Sequence, residues 1–348
     1  MAIARAIASE AKFVIMDEPT TSLTQKEVDN LIAVLGNLRA QGVTVLFVSH
    51  KLDECYAIGG EVIVLRDGQK MAQGPIGDYT KAQISELMTG RHLSNERYRA
   101  GEVGKDVVLD VQGFTRGTQF RDVSFALHRG EILGVTGLLD SGRNELARAL
   151  AGVAPADVGK VTLEGKPVAL RTPSDAKEHR IGYVPEDRLN EGLFLDKPIR
   201  DNVITAMISS LRDRFGQIDR TRAQQLAEQT VKELQIATPG VDKPVQSLSG
   251  GNQQRVLIGR WLAIDPRVLI LHGPTVGVDV GSKDIIYRIM QKLSQRGIGI
   301  ILISDDLPEL LQNCDRILMI KKGRVASQYR ADALNEAELY HALLSEAA

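Results

Sequence analysis

A serine followed by two glycines, Ser249-Gly250-Gly251, is the stretch of this chain best suited to binding an anion. Helix-forming residues continue over 253–263 without a proline, so a helix is predicted there. The first turn of a helix leaves backbone N–H groups unpaired and carries partial positive charge from the helix dipole. Ser249 can cap that turn or donate its hydroxyl, and the glycines let a phosphate approach the backbone. For an isolated Ser-Gly-Gly, a capped helix start is the commoner explanation.

Two adjacent acids, Asp17 and Glu18, follow the apolar run 13–16 and precede Pro19. A buried strand that delivers two carboxylates at its C-terminal end has a clear use in phosphoryl transfer. The first carboxylate can hold Mg²⁺ through water, and the second can polarise an attacking water. The alternative is a solvated acidic turn closed by the proline. His50 lies soon after the next apolar run, where a lone histidine is more often structural than catalytic.

A glycine-containing loop occupies residues 137–144, after the apolar run 131–136 and before helix-forming residues. A strand, a glycine loop and a helix in that order are the context in which backbone amides cradle phosphate. Such a loop requires lysine where Arg143 stands and serine or threonine where Asn144 stands. The Asp140 carboxylate would repel phosphate and can itself accept the loop's N–H groups. The candidates for nucleotide contact in this loop are Gly137, Gly142, Arg143 and Asn144.

The chain repeats itself at a separation of 255 residues, because residues 1–68 align with 256–323 without a gap. A fixed register of this length predicts two copies of one domain. Matching pairs include Ile3 with Ile258, Pro19-Thr20 with Pro274-Thr275, Leu52 with Leu307, and Gly68 with Gly323.

The front of the first copy has no counterpart in this sequence. Leu248 and Gly137, shifted by 255, fall at numbers below 1. We therefore expect the first copy to lack its front half, as a fragment, a pseudogene product or a product of an internal start would. The predicted organisation is the C-terminal part of a first domain at 1–90, a polar linker at 91–105 and a second domain at 106–348.

Residues 248–255, Leu-Ser-Gly-Gly-Asn-Gln-Gln-Arg, resemble the signature motif of ATP-binding cassette (ABC) proteins in the form found in carbohydrate importers. Residues 181–193 resemble a segment of the second cassette of ribose/galactose-type tandem importer ATPases. The resemblance covers nearly the whole chain. It implies α/β cassettes of the P-loop NTPase type, with a mainly parallel sheet, an antiparallel β subdomain and a helical subdomain that carries the signature. One cassette would be truncated and one complete.

The resemblance also implies roles for the residues named above. Asp17 would hold Mg²⁺, Glu18 would be the catalytic base, and His50 would be the switch histidine that contacts the γ-phosphate. Cassettes of this family work as head-to-tail pairs, with ATP lying between one glycine loop and the other cassette's signature. The signature residues expected to contact ATP are Ser249, Gly250, Gly251 and Gln253.

The second copy differs from its family at the positions that carry hydrolysis. His272 replaces the Mg²⁺ acid, Gly273 replaces the catalytic base, and Asp305 replaces the switch histidine. Phosphoryl transfer depends on metal ligation and water activation. The sequence therefore predicts one active and one inert site in the complete protein, and it leaves open whether the second site still binds nucleotide.

Composition restricts the partners. The net charge of −1 gives no basic field for nucleic acid, and Cys55 and Cys314 show no metal spacing. The longest apolar run, 298–303, is too short to cross a bilayer, and the N-terminus lacks an apolar signal segment. The resemblance implies a peripheral protein at the cytoplasmic face of the membrane, working with two transmembrane permease subunits and, indirectly, a sugar-binding protein. The sugar is not specified by this chain.

A non-hydrolysing remnant or regulatory dimerisation module is the main alternative. A soluble ABC translation factor is disfavoured, because such proteins carry a long, highly charged linker between cassettes and the 91–105 linker is too short.

Overall fold

The computed structural model describes residues 11–20, 25–49, 51–66, 68–90, 98 and 103–345. The chain divides into two compact units. The first unit comprises Met1–Ser94 together with Asp279–Gly281, and the second comprises Asn95–Val278 and Ser282–Ala348. None of the helices in the described ranges is long and apolar enough to cross a membrane.

The first unit contains two small sheets and three helices within its described part. Strands β1 and β2 pair in parallel, whereas β3 and β4 form an antiparallel hairpin. Helix α1 repeats apolar residues at helical spacing, and its buried leucines Leu31, Leu35 and Leu38 pack on Val14 and Met16. The elements are β1 (Phe13–Asp17), α1 (Gln25–Ala40), β2 (Thr44–Val48), α2 (Leu52–Ile58), β3 (Glu61–Arg66), β4 (Gln69–Pro75) and α3 (Lys81–Thr89).

The second unit is built on a six-stranded sheet in the order β10-β11-β12-β7-β13-β14, parallel except for the β13–β14 pair. A separate antiparallel sheet has the order β6-β5-β8-β9. The strands are β5 (Val107–Arg116), β6 (Phe120–His128), β7 (Ile132–Thr136), β8 (Val158–Leu163), β9 (Lys166–Val168), β10 (Ile181–Val184), β11 (Val268–His272), β12 (Gly299–Ile303), β13 (Arg316–Lys321) and β14 (Arg324–Arg330). The helices are α4 (Arg143–Leu150), α5 (Pro173–Glu178), α6 (Ile199–Ile204), α7 (Arg220–Glu233), α8 (Gly250–Leu262), α9 (Val280–Gln295), α10 (Leu307–Asn313) and α11 (Glu336–Leu344).

The core of the second unit consists of two large apolar clusters. Strands β7, β11 and β12 are buried along their whole length, as expected of central strands in a parallel sheet. Residues of one cluster come from these strands, from α4 and from the antiparallel sheet. The other cluster joins the strands to α8, α9 and α10.

The two units share strand registers that differ by a constant 255 residues. Phe13 pairs with Thr44 in the first unit, and Val268 pairs with Gly299 in the second. The β3–β4 hairpin has a register irregularity between Val64 and Leu65, and β13–β14 has one between Met319 and Ile320. The sequence alignment and the backbone hydrogen bonding therefore follow the same shift.

Two helices begin earlier than the sequence predicts. The helix predicted for 253–263 starts at Gly250, and the one predicted after the glycine loop starts at Arg143. Gly142 precedes α4 with a left-handed φ of 95°, which only glycine adopts readily, so the chain enters the helix directly from the loop. Helix α3 starts at Lys81 because the Thr80 and Gln83 side chains form a capping box.

Most of the predicted linker lies outside the described residues. Tyr98 is the described residue within 91–102, and it belongs to the second unit. Its hydroxyl donates to Asp284 Oδ1 at 2.6 Å, and its ring packs edge-on against Tyr287. Burial and the Asp284 carboxylate raise the pKa of Tyr98, so the phenol remains a donor near neutral pH.

Candidate functional site

The Ser-Gly-Gly stretch forms the start of α8 in the second unit. Ser249 is exposed at the N-cap position, and Gln253 N donates to Ser249 O at 2.9 Å as the first helical hydrogen bond. Gly250 and Gly251 therefore lie in the turn whose amides have no partner inside the helix. The Ser249 hydroxyl does not cap the helix, because it accepts a hydrogen bond from Asn252 Nδ2 at 2.8 Å. Binding of a phosphate at this helix start stays a prediction.

Gln253 has a different place from the one expected of a nucleotide contact. Its side chain is buried, and Nε2 donates to Leu248 O at 3.1 Å. The amide thus holds the segment that precedes the helix. A direct contact between Gln253 and ATP stays a prediction.

Arg188 connects three segments around the start of α8, a role that the sequence did not reveal. Its Nη1 donates to Val276 O at 2.7 Å and its Nη2 donates to Gly277 O at 3.1 Å. A Cβ atom on Gly250 would lie 2.8 Å from Arg188 Nη2 and 3.0 Å from Gly277 O, so a larger residue at this position would displace the guanidinium. Burial lowers the pKa of Arg188, which nevertheless stays protonated near neutral pH. A positive charge therefore lies beside the start of α8.

The glycine loop at 137–144 connects β7 to α4, and its glycines are required by packing. A Cβ atom on Gly137 would lie 2.4 Å from both Ile320 O and Ser141 Oγ, and one on Gly142 would lie 2.4 Å from Gln119 O. Such distances exclude any larger residue without a backbone shift. Both glycines are therefore required by close packing of the loop against neighbouring protein atoms.

Asp140 adopts a left-handed backbone with φ 65° in this loop, and its side chain is exposed. The suggestion that its carboxylate accepts the loop's own N–H groups is wrong for this structure, since no such bond forms within the described part of the chain. The Asp140 side chain instead lies exposed to solvent at the loop.

His272 at the end of β11 is the centre of a polar network. Its Nε2 lies 3.1 Å from Asn144 Oδ1 and 3.3 Å from Glu186 Oε2, and its Nδ1 lies 3.3 Å from the Tyr183 hydroxyl. Burial, and then the charge of Arg143, lower the pKa of His272 to about 4, so the imidazole is neutral at pH 7. Burial raises the pKa of Tyr183, so its phenol can donate to Nδ1. Nε2 then carries the proton that Asn144 Oδ1 or Glu186 accepts.

This network does not suit Mg²⁺. The ion takes oxygen ligands in near-octahedral geometry, whereas an imidazole N–H is a donor. Asn144 Oδ1, which stands where a metal-binding hydroxyl is expected, lies within hydrogen-bonding distance of that imidazole. Across the described ranges, no three His, Cys, Asp or Glu side chains are placed to hold a metal ion together.

Arg143 and Asp305 form an ion pair next to this network. Arg143 Nη2 lies 3.4 Å from Asp305 Oδ2, and the Arg143 side chain is buried while that of Asp305 is exposed. Burial, followed by the charge of Asp305, raises the pKa of Glu186. Arg143, which takes the place of the phosphate-binding lysine, is thus already paired with the Asp305 carboxylate.

The first unit places Asp17 and Glu18 at the carboxyl end of its parallel strand pair. Asp17 is the exposed last residue of β1, and Glu18 N donates to Val48 O of β2 at 2.9 Å. Glu18 has a φ of 44°, in the left-handed region, where its counterpart Gly273 has 54°. A non-glycine residue pays roughly 1–2 kcal/mol for this conformation. His50 lies outside the described residues.

A buried threonine–glutamate pair recurs in both units and is not among the residues predicted from the sequence. Thr20 Oγ1 donates to Glu54 Oε2 at 2.8 Å, and Thr275 Oγ1 donates to Glu309 Oε1 at 2.8 Å. Burial raises the pKa of Glu309 to about 7. The pairs follow the 255-residue shift, so the repeated Thr20/Thr275 and Glu54/Glu309 positions were a signal for them.

A cavity of about 430 Å³ lies in the second unit beside β10 and α8. Apolar residues, including Tyr183, Leu257 and Trp261, form much of its wall, and an Arg148–Glu191 ion pair with N–O distance 2.7 Å lies at its edge. The indole N–H of Trp261 is buried and has no hydrogen-bond partner within the described residues. The cavity is separate from the His272 network except for Tyr183, which takes part in both.

The second unit has the architecture of an α/β ATP-binding cassette. Its parallel sheet carries a glycine loop between a central strand and a helix, and it also has an antiparallel sheet and a signature helix. Residues 120–276 match the family model described as ABC transporter. A ribose import ATP-binding protein of Rubrobacter xylanophilus is 44% identical over 335 residues, which are 96% of this chain and 67% of that protein. A putative ribose/galactose/methyl galactoside import ATP-binding protein of Agrobacterium fabrum is 41% identical over 97% of this chain and 67% of its own length.

The chain therefore belongs to the ABC-transporter family of ATP-binding proteins, with sugar import proteins among its relatives. Members of this family bind ATP, typically with Mg²⁺. The chain spans about two-thirds of the length of these relatives. The cassette fold is also that of CbiO1 from Clostridium perfringens, part of an ABC transporter complex, with a TM-score of 0.57 and 22% identity, covering 69% of this chain and 95% of that one.

Proposed function

We propose that this chain is an ATP-binding subunit that energises carbohydrate import by an ABC transporter. It comprises the C-terminal part of a first cassette at 1–90, a linker at 91–105 and a second cassette at 106–348. The constant 255-residue shift in strand registers supports two cassettes of one fold. The names of the relatives, which include ribose and galactose import proteins, support sugar as the cargo.

In this proposal the first cassette carries the hydrolytic groups. Asp17 holds Mg²⁺, Glu18 positions and activates the water, His50 contacts the γ-phosphate, and the α8 start at Ser249 binds phosphate. The observation that carries the assignment is the place of Asp17 and Glu18 at the carboxyl end of the parallel pair β1–β2, where Glu18 N donates to Val48 O at 2.9 Å. Two adjacent carboxylates at such a strand end suit Mg²⁺ binding and water activation.

The second cassette binds nucleotide, if at all, without hydrolysing it. His272 lies within hydrogen-bonding distance of Asn144, and Arg143 is paired with Asp305, so metal ligation and phosphate binding both meet competing contacts. These same contacts favour the alternative function, a non-hydrolysing regulatory module. Activity dependent on Glu18 separates the two.

The partners in this proposal are two permease subunits, bound at the cytoplasmic face of the membrane, and a sugar-binding protein reached through them. The cavity beside Trp261 supports a protein partner, because an apolar wall with an ion pair at the edge suits an inserted helix. The net charge of −1 gives no support for nucleic acid.

The proposal is tested by phosphate release from ATP in the isolated chain and in a chimera. The chimera carries, ahead of residue 1, the part of the Rubrobacter xylanophilus relative that this chain does not cover. We expect Mg²⁺-dependent hydrolysis by the chimera and none above background by the isolated chain, because residues 1–348 contain no glycine loop followed by lysine and serine or threonine. In limited proteolysis of the isolated chain, residues 105–348 should persist longer than 1–90. Robust hydrolysis by the isolated chain would contradict the assignment.

A second test concerns Mg²⁺ at the second cassette. The wild-type chain should show no gain in ATP affinity on addition of Mg²⁺, since His272 and Asn144 are placed to bond each other. The double variant Asn144→Ser with His272→Asp supplies a hydroxyl and a carboxylate, so its ATP affinity should rise about tenfold with Mg²⁺. Calorimetric titrations of ATP in the presence of Mg²⁺ and of EDTA measure the affinity of both proteins.

The control is Asn144→Ala with His272→Ala, which breaks the same contact without adding ligands. If Mg²⁺ raises the ATP affinity of the control or of the wild type, the idea is refuted.

A further inference from the structure

Residues 212–222 of the second unit lie just before α7 and in its first turn, and every residue among them is exposed. They include four arginines and two aspartates, so this stretch carries a net charge of +2 in a chain whose net charge is −1. The arginines are Arg212, Arg214, Arg220 and Arg222. We call residues 212–222 the basic segment.

The arginines of the basic segment are not neutralised by carboxylates. Within the part of the chain that the structure describes, none of the four guanidinium groups forms an ion pair. The two aspartates of the segment bond the backbone instead. Asp213 Oδ1 accepts from Phe215 N at 2.8 Å and from Gln217 N at 2.9 Å, and Asp219 Oδ1 accepts from Arg222 N at 2.9 Å as the N-cap of α7. The guanidinium groups are therefore available to an external anion.

The first part of the basic segment is a closed hairpin. Arg212 and Ile218 form an antiparallel bridge, and Asp213 N donates to Gln217 O at 2.8 Å. Gly216 makes the turn with a left-handed φ of 78°, and its N–H donates to Asp213 O at 3.0 Å. These N–H groups are bonded inside the hairpin, so its tip can enter an apolar environment without leaving them unpaired.

The hairpin is held in place by buried residues on either side of it. Asp219 N donates to Leu211 O at 2.9 Å. Leu211 and Ala223 flank the basic segment, and both are buried in one apolar cluster with Ile204. The second unit therefore presents the arginines from a defined position.

Apolar side chains lie among the arginines of the basic segment. Phe215 at the tip of the hairpin is 74% exposed, and Ile218 is 37% exposed. The guanidinium carbon of Arg214 lies 4.8 Å from the centroid of the Phe215 ring. Exposed apolar side chains next to unpaired cations suit the boundary of a bilayer, where the apolar groups meet acyl chains and the cations meet anionic headgroups.

We infer that the basic segment binds the surface of a bilayer that contains anionic lipids. Its guanidinium groups bond the lipid phosphates, and the Phe215 ring enters the boundary between headgroups and acyl chains. This contact goes beyond the proposed function, because it is made with lipid and not with a permease subunit. It rests on that proposal for the place of the chain at the membrane.

A nucleic acid fits the basic segment less well than a bilayer does. Proteins that bind a nucleic-acid strand carry basic residues along its path. Beyond Arg222, however, the exposed side of α7 carries Glu228 and Glu233. Ile218 also offers no ring on which a base could stack. The charge of the basic segment is therefore confined to a short stretch around an apolar tip.

The test measures sedimentation of the full chain with lipid vesicles, without ATP. We expect binding to vesicles of equimolar phosphatidylcholine and phosphatidylglycerol, weakening as salt is added, and little binding to phosphatidylcholine alone. Arg212→Gln with Arg214→Gln should weaken the binding about tenfold or more, because each arginine near an anionic surface adds to the affinity. Phe215→Ser should weaken it several-fold at all salt concentrations, because it removes the apolar contact.

The matched control is Arg171→Gln with Arg296→Gln, which removes the same charge from exposed positions outside the basic segment and should leave vesicle binding unchanged. The inference is wrong if anionic vesicles bind no better than neutral ones, or if the control loses as much binding as Arg212→Gln with Arg214→Gln. It is also wrong if the basic segment binds single-stranded DNA and not vesicles. Hydrolysis by the chimera is a separate measurement, so failure of the proposed catalytic role of Glu18 would leave vesicle binding unaffected.

Discussion

Replacing Glu18 by glutamine in the chimera with the Rubrobacter xylanophilus segment should lower the rate of ATP hydrolysis about 10³-fold. The amide keeps the shape of the side chain but cannot accept a proton from water, so ATP affinity should change little. The left-handed backbone at Glu18 is expected to persist, since its N–H still donates to Val48 O. Phosphate release measures turnover, and equilibrium binding of a fluorescent ATP analogue measures affinity.

Asp305→Ala in the same chimera is the matched control. It removes an exposed carboxylate at the second unit's glycine loop, and turnover should remain within a few-fold of the unsubstituted chimera. If Glu18→Gln retains turnover, the catalytic assignment fails. If Asp305→Ala is as damaging as Glu18→Gln, hydrolysis takes place at the second unit instead.

Arg260→Met should lower the free energy of unfolding of the second unit by about 3–5 kcal/mol. Arg260 is buried, and its guanidinium donates from Nε to Asn202 O at 2.8 Å, from Nη2 to Asn202 Oδ1 at 2.8 Å, and from Nη1 to Gly192 O. Burial lowers its pKa to about 10, so it remains charged at pH 7. Methionine fills similar volume but leaves these acceptors without that donor. Denaturant unfolding followed by circular dichroism measures the loss.

Arg148→Met provides the comparison for Arg260→Met. Arg148 pairs with Glu191 at the edge of the cavity, and both side chains are more than a third exposed. Exposed ion pairs contribute about 1 kcal/mol or less, so the loss should be small. Equal losses for the two variants would show that the buried contacts of Arg260 are not what stabilises the second unit.

The sequence predicted the features of this molecule that depend on local pattern or on the repeat. The strand ending at Asp17, the strand–loop–helix around 137–144 and the helix after Ser249 are all present, although the two helices begin a few residues earlier than predicted. Alternation of apolar and polar residues, and continuous apolar runs, indicate which side chains are buried. Glycine indicates where the backbone makes a close approach. These patterns can be read from neighbouring residues alone.

The sequence could not predict contacts between residues far apart in the chain. His272 meets Asn144 across 128 residues, and Arg188 reaches Val276 across 88. Histidine, asparagine and arginine side chains can bond many different partners. Which partner each one contacts depends on the folded arrangement of the strands and loops. The buried role of Gln253 likewise follows from how the preceding turn packs.

Trp261 gives the second unit its own optical signal. It is the single tryptophan of the chain, and it lies in the wall of the cavity with its indole N–H buried. Emission excited at the red edge of the absorption band therefore comes from this one place, with no contribution from the first unit. A helix entering the cavity would displace water from the indole and move its emission to shorter wavelength, so docking at this surface can be followed without any attached dye.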